Sequence, residues 1–241
     1  MKALSIEMKK CKRSGVFPIM FAVGIFGALY VIANFAVRKD TLLALPLAPM
    51  DVLLTQLYGV IALISLFGII TATCLMYQIE HSDNAMKRMY MLPIRITDIF
   101  SSKLLILVML LLISFTIQYS ALGFVGNLYL PENSFELWTL IRYGLYTFVM
   151  SLPVLLFMIF ISSRISNIWI TLGVGIIGFF SGMATATSDI VVFLINPFTL
   201  IMYPAMSNNA TVKFSALIIA VVEIVVFLVV GYIFTKKARY E

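Results

Sequence analysis

Charge is what this sequence has least of. Asp, Glu, Lys and Arg make up 12% of its 241 residues and hydrophobic residues 62%, where a soluble domain carries roughly 25% charged residues. So few charges cannot cover that much apolar surface in water. Lipid removes the need for polar cover, so the composition points to a membrane protein. Cysteine is also scarce. Cys11 lies in a basic segment and Cys74 in an apolar one; they make no metal spacing and no disulfide framework, and read as small apolar side chains. The single histidine, His81, cannot build a metal site and reads as a surface residue on a loop. Catalytic signatures are missing as well: no Gly-x-x-x-x-Gly-Lys phosphate loop, no His-Glu-x-x-His, no Gly-x-Ser-x-Gly. No paired acids or Ser/His arrangement lies inside the apolar segments. The chain is therefore read as having no catalytic residues, no metal site and no bound cofactor. No segment reads as a cleavable signal peptide.

What is present is a series of long apolar runs. Six reach the ~20 residues a helical crossing needs: 16–37, 52–79, 104–126, 137–161, 168–187 and 214–235. They run nearly end to end, so residues 1–241 form one all-α membrane domain with about six transmembrane helices. A seventh apolar stretch, 190–206, is interrupted by Pro197 and Pro204. Proline removes a backbone donor and clashes with the preceding turn. Segment 188–212 is therefore expected to be a broken, re-entrant hairpin surrounded by protein. The alternative is a seventh crossing.

The net charge of +6 does not indicate nucleic acid, because the basic residues cluster beside apolar segments, where they orient a membrane protein. With both termini in the cytoplasm, the inner side collects every Lys and Arg except Arg38, Lys39, Arg142 and Lys213. An even number of crossings returns the basic C-terminus to that side. Tyr58, Trp138, Trp169 and Tyr232 read as interfacial anchors.

Two polar segments carry more information. Residues 1–14 read as an interfacial helix with Ala3, Leu4, Met8 and Cys11 on its apolar face; Glu7 falls on the wrong side for that pattern. The largest inner loop is 80–103. Within it 83–92 reads as a short helix. Asp83 sits near its N-terminus, Lys87 and Arg88 follow, and Ala85, Met86, Met89 and Leu92 form an apolar stripe. Pro93 ends it, and Thr97 caps the helix leading into the third span. A basic, Met-rich helix of this kind suits docking of a cytoplasmic partner. A solvated linker whose charges only enforce topology fits the same residues.

These residues carry a resemblance. Glu80-His81-Ser82-Asp83-Asn84-Ala85-Met86-Lys87-Arg88, then Leu92-Pro93-Ile94, then Lys103 resemble the coupling segment of type-2 (ABC-2) ABC transporter permeases. In such permeases an acidic residue opens the loop, and a Pro-containing turn leads to a lysine at the third span. Asn196-Pro197-Phe198 falls where they carry an extracellular hairpin, and the likeness extends over essentially the whole chain. With Ile6-Glu7-Met8-Lys9-Lys10 at its start, the chain is also similar to permeases of lantibiotic (bacteriocin) immunity transporters. The resemblance implies a bacterial plasma membrane and a second permease chain, related or identical. It implies a cytoplasmic ABC ATPase that holds ATP and Mg and docks at Glu80, His81, Asp83, Met86, Lys87, Arg88 and Met89. It also implies an antimicrobial peptide substrate, exported or cleared from the bilayer; another amphipathic or lipid-like substrate is the alternative.

Two features inside the spans remain. Glu223 sits near the middle of the last span, where a charge costs at least ~2.5 kcal/mol on insertion scales. It reads as a polar contact in a transport path or at the interface between permease chains, as a protonated packing contact, or as the proton site of a secondary transporter. Arg142 is the nearest basic residue by estimated depth. The fifth span lines up Thr171, Gly175, Gly178 and Gly182 on one face, a small-residue stripe for close helix packing within the chain or against a second copy.

Overall fold

Long apolar runs have one low-energy backbone in lipid, the helix, because it satisfies its own N–H and C=O groups. The computed structural model describes residues 2–81, 96–131, 134–188 and 190–237, and no strand occurs among them. Helix α1 runs over Lys2–Arg13. Gly15, at φ 80°, then turns the chain through a left-handed conformation that side chains with a Cβ avoid. It leads into α2, Val16–Leu43. Next come α3, Pro49–His81, α4, Ile96–Tyr129, α5, Leu137–Arg164, and α6, Ile168–Ala186. Helix α7 is short, Pro197–Met202, and lies between 3-10 turns at Val191–Ile195 and Tyr203–Met206. Helix α8, Phe214–Lys237, follows. Six of these, α2 to α6 and α8, are long and apolar enough to cross a membrane.

Local chemistry marks several boundaries. Asn167 caps α6 by accepting from the Trp169 N–H at 2.9 Å, and Asn196 caps α7 by accepting from Phe198 N–H at 3.1 Å. Pro197 and Pro49 occupy first-turn positions, where the missing N–H costs nothing. Helix α4 begins slightly before Thr97, with Asp98 in its first turn, so Lys103 lies inside the helix.

Helix α3 is the centre of the bundle. Its most apolar window is 61% buried, against 17% for α8, the most peripheral. α2 and α4 pack on one side of α3, and α5 and α6 on the other, with α8 outside α5. Small and polar residues bring the first group close together. Val23 fills the space above Gly68, where a Cβ would come within 2.5 Å of it. Gln118, fully buried, donates to the Val23 carbonyl at 3.1 Å, and Ser114 donates to the Met20 carbonyl at 2.6 Å.

Segment 188–212 does not form a seventh crossing. α7 sits in a pocket between α3, α5 and α6, at the end of the bundle away from α1. Its residues Phe198 to Met202 are buried. One sequence expectation changes here. Tyr58 is not an interfacial anchor but is fully buried, whereas Trp138, Trp169 and Tyr232 are exposed as anchors would be.

Candidate functional site: the ionic clamp at the base of the bundle

Three elements distant in sequence meet at one ammonium group. Lys103 Nζ, on α4, lies 2.8 Å from Glu7 Oε2 on α1 and 2.9 Å from Glu80 Oε1 on α3. It also donates to the Met76 carbonyl at 3.3 Å and faces the Tyr77 ring at 5.1 Å. Lys103 is 1% exposed, Glu7 and Glu80 2% each. Lys10, one turn on from Glu7, donates to Glu7 Oε1 at 2.7 Å and approaches Glu80 at 3.7 Å. Among the described residues two acids and two cations gather here, with Glu7, Glu80 and Lys103 nearly dry and Lys10 partly exposed. Pairing of this kind is the condition under which buried charge is tolerated. Burial on its own would raise the Glu7 carboxyl. The Lys103 charge and the Lys10 hydrogen bond outweigh it and hold the group below its ordinary value. Burial pushes the neighbouring Cys11 thiol up, so Cys11 stays a neutral, packed side chain.

The wheel reading of α1 is corrected by this cluster. Its buried side carries Leu4, Glu7 and Cys11, while Met8 is 42% exposed. A charge within an apolar stripe signalled a buried partner, but the partner is a lysine 96 positions away. His81 also departs from expectation. It is the last residue of α3, half-buried, and its Nε2 meets the Ser162 carbonyl at the base of α5 at 3.1 Å. Glu80 and His81 therefore fasten the end of α3 to α1 and α4 on one side and to α5 on the other. Lys103 stands just beyond the other end of the connection. Asp83, Met86, Lys87, Arg88 and Met89 lie outside the described residues.

At the opposite end, the glycine stripe of α6 receives the hairpin. A Cβ on Gly178 would strike the Phe198 ring, and one on Gly182 would meet the Phe198 carbonyl oxygen at 2.7 Å. Gly175 makes room for Ile70 of α3 in the same way. The stripe therefore packs within the chain. Phe198 also meets Phe157 of α5, which meets Phe227 of α8, with ring centroids 5.7 and 5.8 Å apart. Backbone groups left open by Pro197, Pro204 and the short helix find side-chain partners. Tyr58 donates to the Ile201 carbonyl at 3.0 Å, Tyr143 to the Pro204 carbonyl at 3.1 Å, and Ala210 N–H to Asp51 at 2.8 Å. Asn196 reaches Ser181 at 3.0 Å.

Glu223 is 8% exposed, and neither carboxylate oxygen has a hydrogen-bond partner among the described residues. Arg142 is exposed and does not pair with it. The structure thus brings Glu80, His81, Lys103 and Glu7 into one constellation, Gly175, Gly178, Gly182, Pro197 and Pro204 into another, and leaves Glu223 apart from both.

In comparison with protein families, the profile described as ABC-2 family transporter protein aligns with residues 3–182. That span holds α1, the first five crossings and the whole ionic clamp. The chain matches no curated protein and no solved structure.

Proposed function

This chain belongs to the ABC-2 family of transporter proteins, a multi-pass membrane subunit of an ABC transporter, and on that premise we propose that it serves an ATP-driven exporter that clears or exports antimicrobial peptides. ATP and Mg are held by a separate cytoplasmic ATPase, and a second permease chain, related or identical, completes the pathway. The membrane is a bacterial plasma membrane with both termini inside.

One observation supports the coupling reading above the rest. The two helices that flank residues 82–95 are tied together at the base of the bundle by Glu80 and Lys103, 2.9 Å apart. A push on that connection is delivered to α3 and α4 together rather than absorbed by loose helix ends. Because α3 is the most buried span, its displacement reaches every neighbour. The peptide substrate rests on the similarity to lantibiotic immunity permeases in layout and in the 6–10 segment. The bilayer-facing bundle suits an amphipathic molecule taken from lipid.

The test is a triple substitution, Met86→Asp, Arg88→Asp and Met89→Asp. It is expected to abolish co-purification with the ATPase while membrane insertion is intact. Unchanged co-purification removes the docking assignment. The substrate class is tested in a sensitive host carrying the chain and its ATPase. Survival of a purified lantibiotic is expected to rise, and unaltered sensitivity counts against the peptide reading.

A second reading has its own observation, the partnerless Glu223 carboxyl. A secondary transporter using it as a proton site would work without any ATPase and fail in Glu223→Gln. The ATP-driven reading expects the reverse on both counts.

A further inference from the structure

We propose that Glu7, Glu80 and Lys103 form an ionic latch that makes α1 a moving part of the coupling machinery, not only a helix resting on the membrane surface. The inference rests on the ATP-driven reading above and adds a component to it.

Three observations carry it. First, the cluster is made of charges where apolar side chains would pack as well. Replacing a buried ion group by hydrophobic residues of similar size is often neutral or stabilising. Its stabilising value is therefore small, and what charges add is a contact that is either made or broken. Second, three helices meet at a single atom. Glu7 Oε2 and Glu80 Oε1 lie 2.8 and 2.9 Å from Lys103 Nζ, so a small shift of α1 opens its contact with α4 while the α3–α4 contact is kept. Third, α1 has a pivot. Gly15 at φ 80° joins it to α2, and a Cβ there would have only Leu75 Cδ1 nearby, at 4.0 Å. The glycine is required by backbone conformation and not by crowding. A helix joined to α2 through that glycine and tied to α3 and α4 by Glu7 and Lys10 can swing when those ties open. Lys103 sits one element beyond the connection on which an ATPase acts, so displacement of α3 and α4 together against α1 changes the geometry at Nζ before it changes anything deeper. Glu7, Glu80 and Lys103 are thus positioning residues. They transmit motion and touch no substrate.

The experiment uses the full chain with its cognate ATPase in lipid nanodiscs. Nitroxide labels go at the exposed Met8 and Ser101 in a background with Cys11→Ala and Cys74→Ala. Pulsed electron resonance then reads the α1–α4 distance with and without ATP and Mg. The latched chain is expected to show one distance without nucleotide and a second, longer population with it. The neutral variant Glu7→Gln, Glu80→Gln, Lys103→Met is expected to fold, with a melting temperature like the parent, and to lose the nucleotide-dependent shift. Lys103→Arg, which keeps the charge, restores it. A neutral variant that still shifts as the parent does overturns the latch and leaves the ATP-driven reading intact. A parent that binds the ATPase yet shows no shift with nucleotide also overturns the latch alone, and a parent that binds no ATPase overturns both.

Discussion

The hydroxyl of Tyr58, buried in α3, donates to the carbonyl of Ile201, 143 residues further along the chain, at 3.0 Å. That bond closes a backbone group that the end of a short helix leaves open. With no water at hand, the alternative is an unsatisfied carbonyl inside the bundle. Tyr58→Phe is expected to cost about 1–3 kcal/mol, read as a lower melting temperature in detergent or nanodiscs. Tyr143→Phe, which frees the Pro204 carbonyl, is expected to behave alike. A Tyr58→Phe chain that melts with the parent would show the carbonyl to be satisfied otherwise.

Two glycines on the same helix are expected to respond in opposite ways to a methyl group. Gly178→Ala drives a Cβ into the Phe198 ring and is expected to cost about 1–3 kcal/mol through overpacking. Phe198→Leu in the same chain should recover part of it. Gly173 has nothing within 4 Å of a built Cβ, so Gly173→Ala is expected to be neutral or to stabilise by roughly 0.5–1 kcal/mol. Equal effects at both positions would contradict the packing of α7 against α6.

Acid is expected to loosen α1. The folded Glu7 carboxyl lies below its ordinary 4.5, so the stability it contributes is present above that value and is lost as pH falls through the lower folded one. The gap in melting temperature between the parent and Glu7→Gln should therefore be constant from pH 7 to 5 and close below about pH 4.5. A gap that does not narrow at all below about pH 4.5 would mean that packing, not charge, holds the residue.

Removing the Glu223 carboxyl is expected to help the fold. It is buried without a partner among the described residues, and a leucine there relieves an insertion penalty of at least ~2.5 kcal/mol. Membrane abundance of Glu223→Leu should match or exceed the parent, with ATP-driven activity retained. Lower abundance would reveal a stabilising contact with a second chain.

The crossings were readable in the residues because hydropathy is a local property. Each run of about twenty apolar residues meets the thickness of the hydrocarbon by itself. The broken hairpin was readable for a related reason, since two prolines in one short stretch, Pro197 and Pro204, oppose a continuous helix, although the lone Pro153 lies inside α5. The inward face of α1 was misjudged because a wheel assigns Glu7 to solvent unless its partner is known. Tyr58 was misjudged in the same way, taken as an anchor by its aromatic ring and its position near a span end.

Composition and periodicity, then, determined the solvent, the number of helices and the places where they stop, each a question of a few neighbouring residues. Tertiary structure alone decided that Lys103 and Lys10 meet Glu7 and Glu80, that Phe198 fills the space left by Gly178, and that Glu223 faces no cation among the described residues. Those are contacts between residues far apart in the chain, and their energies depend on distances and burial that exist only once the helices have packed.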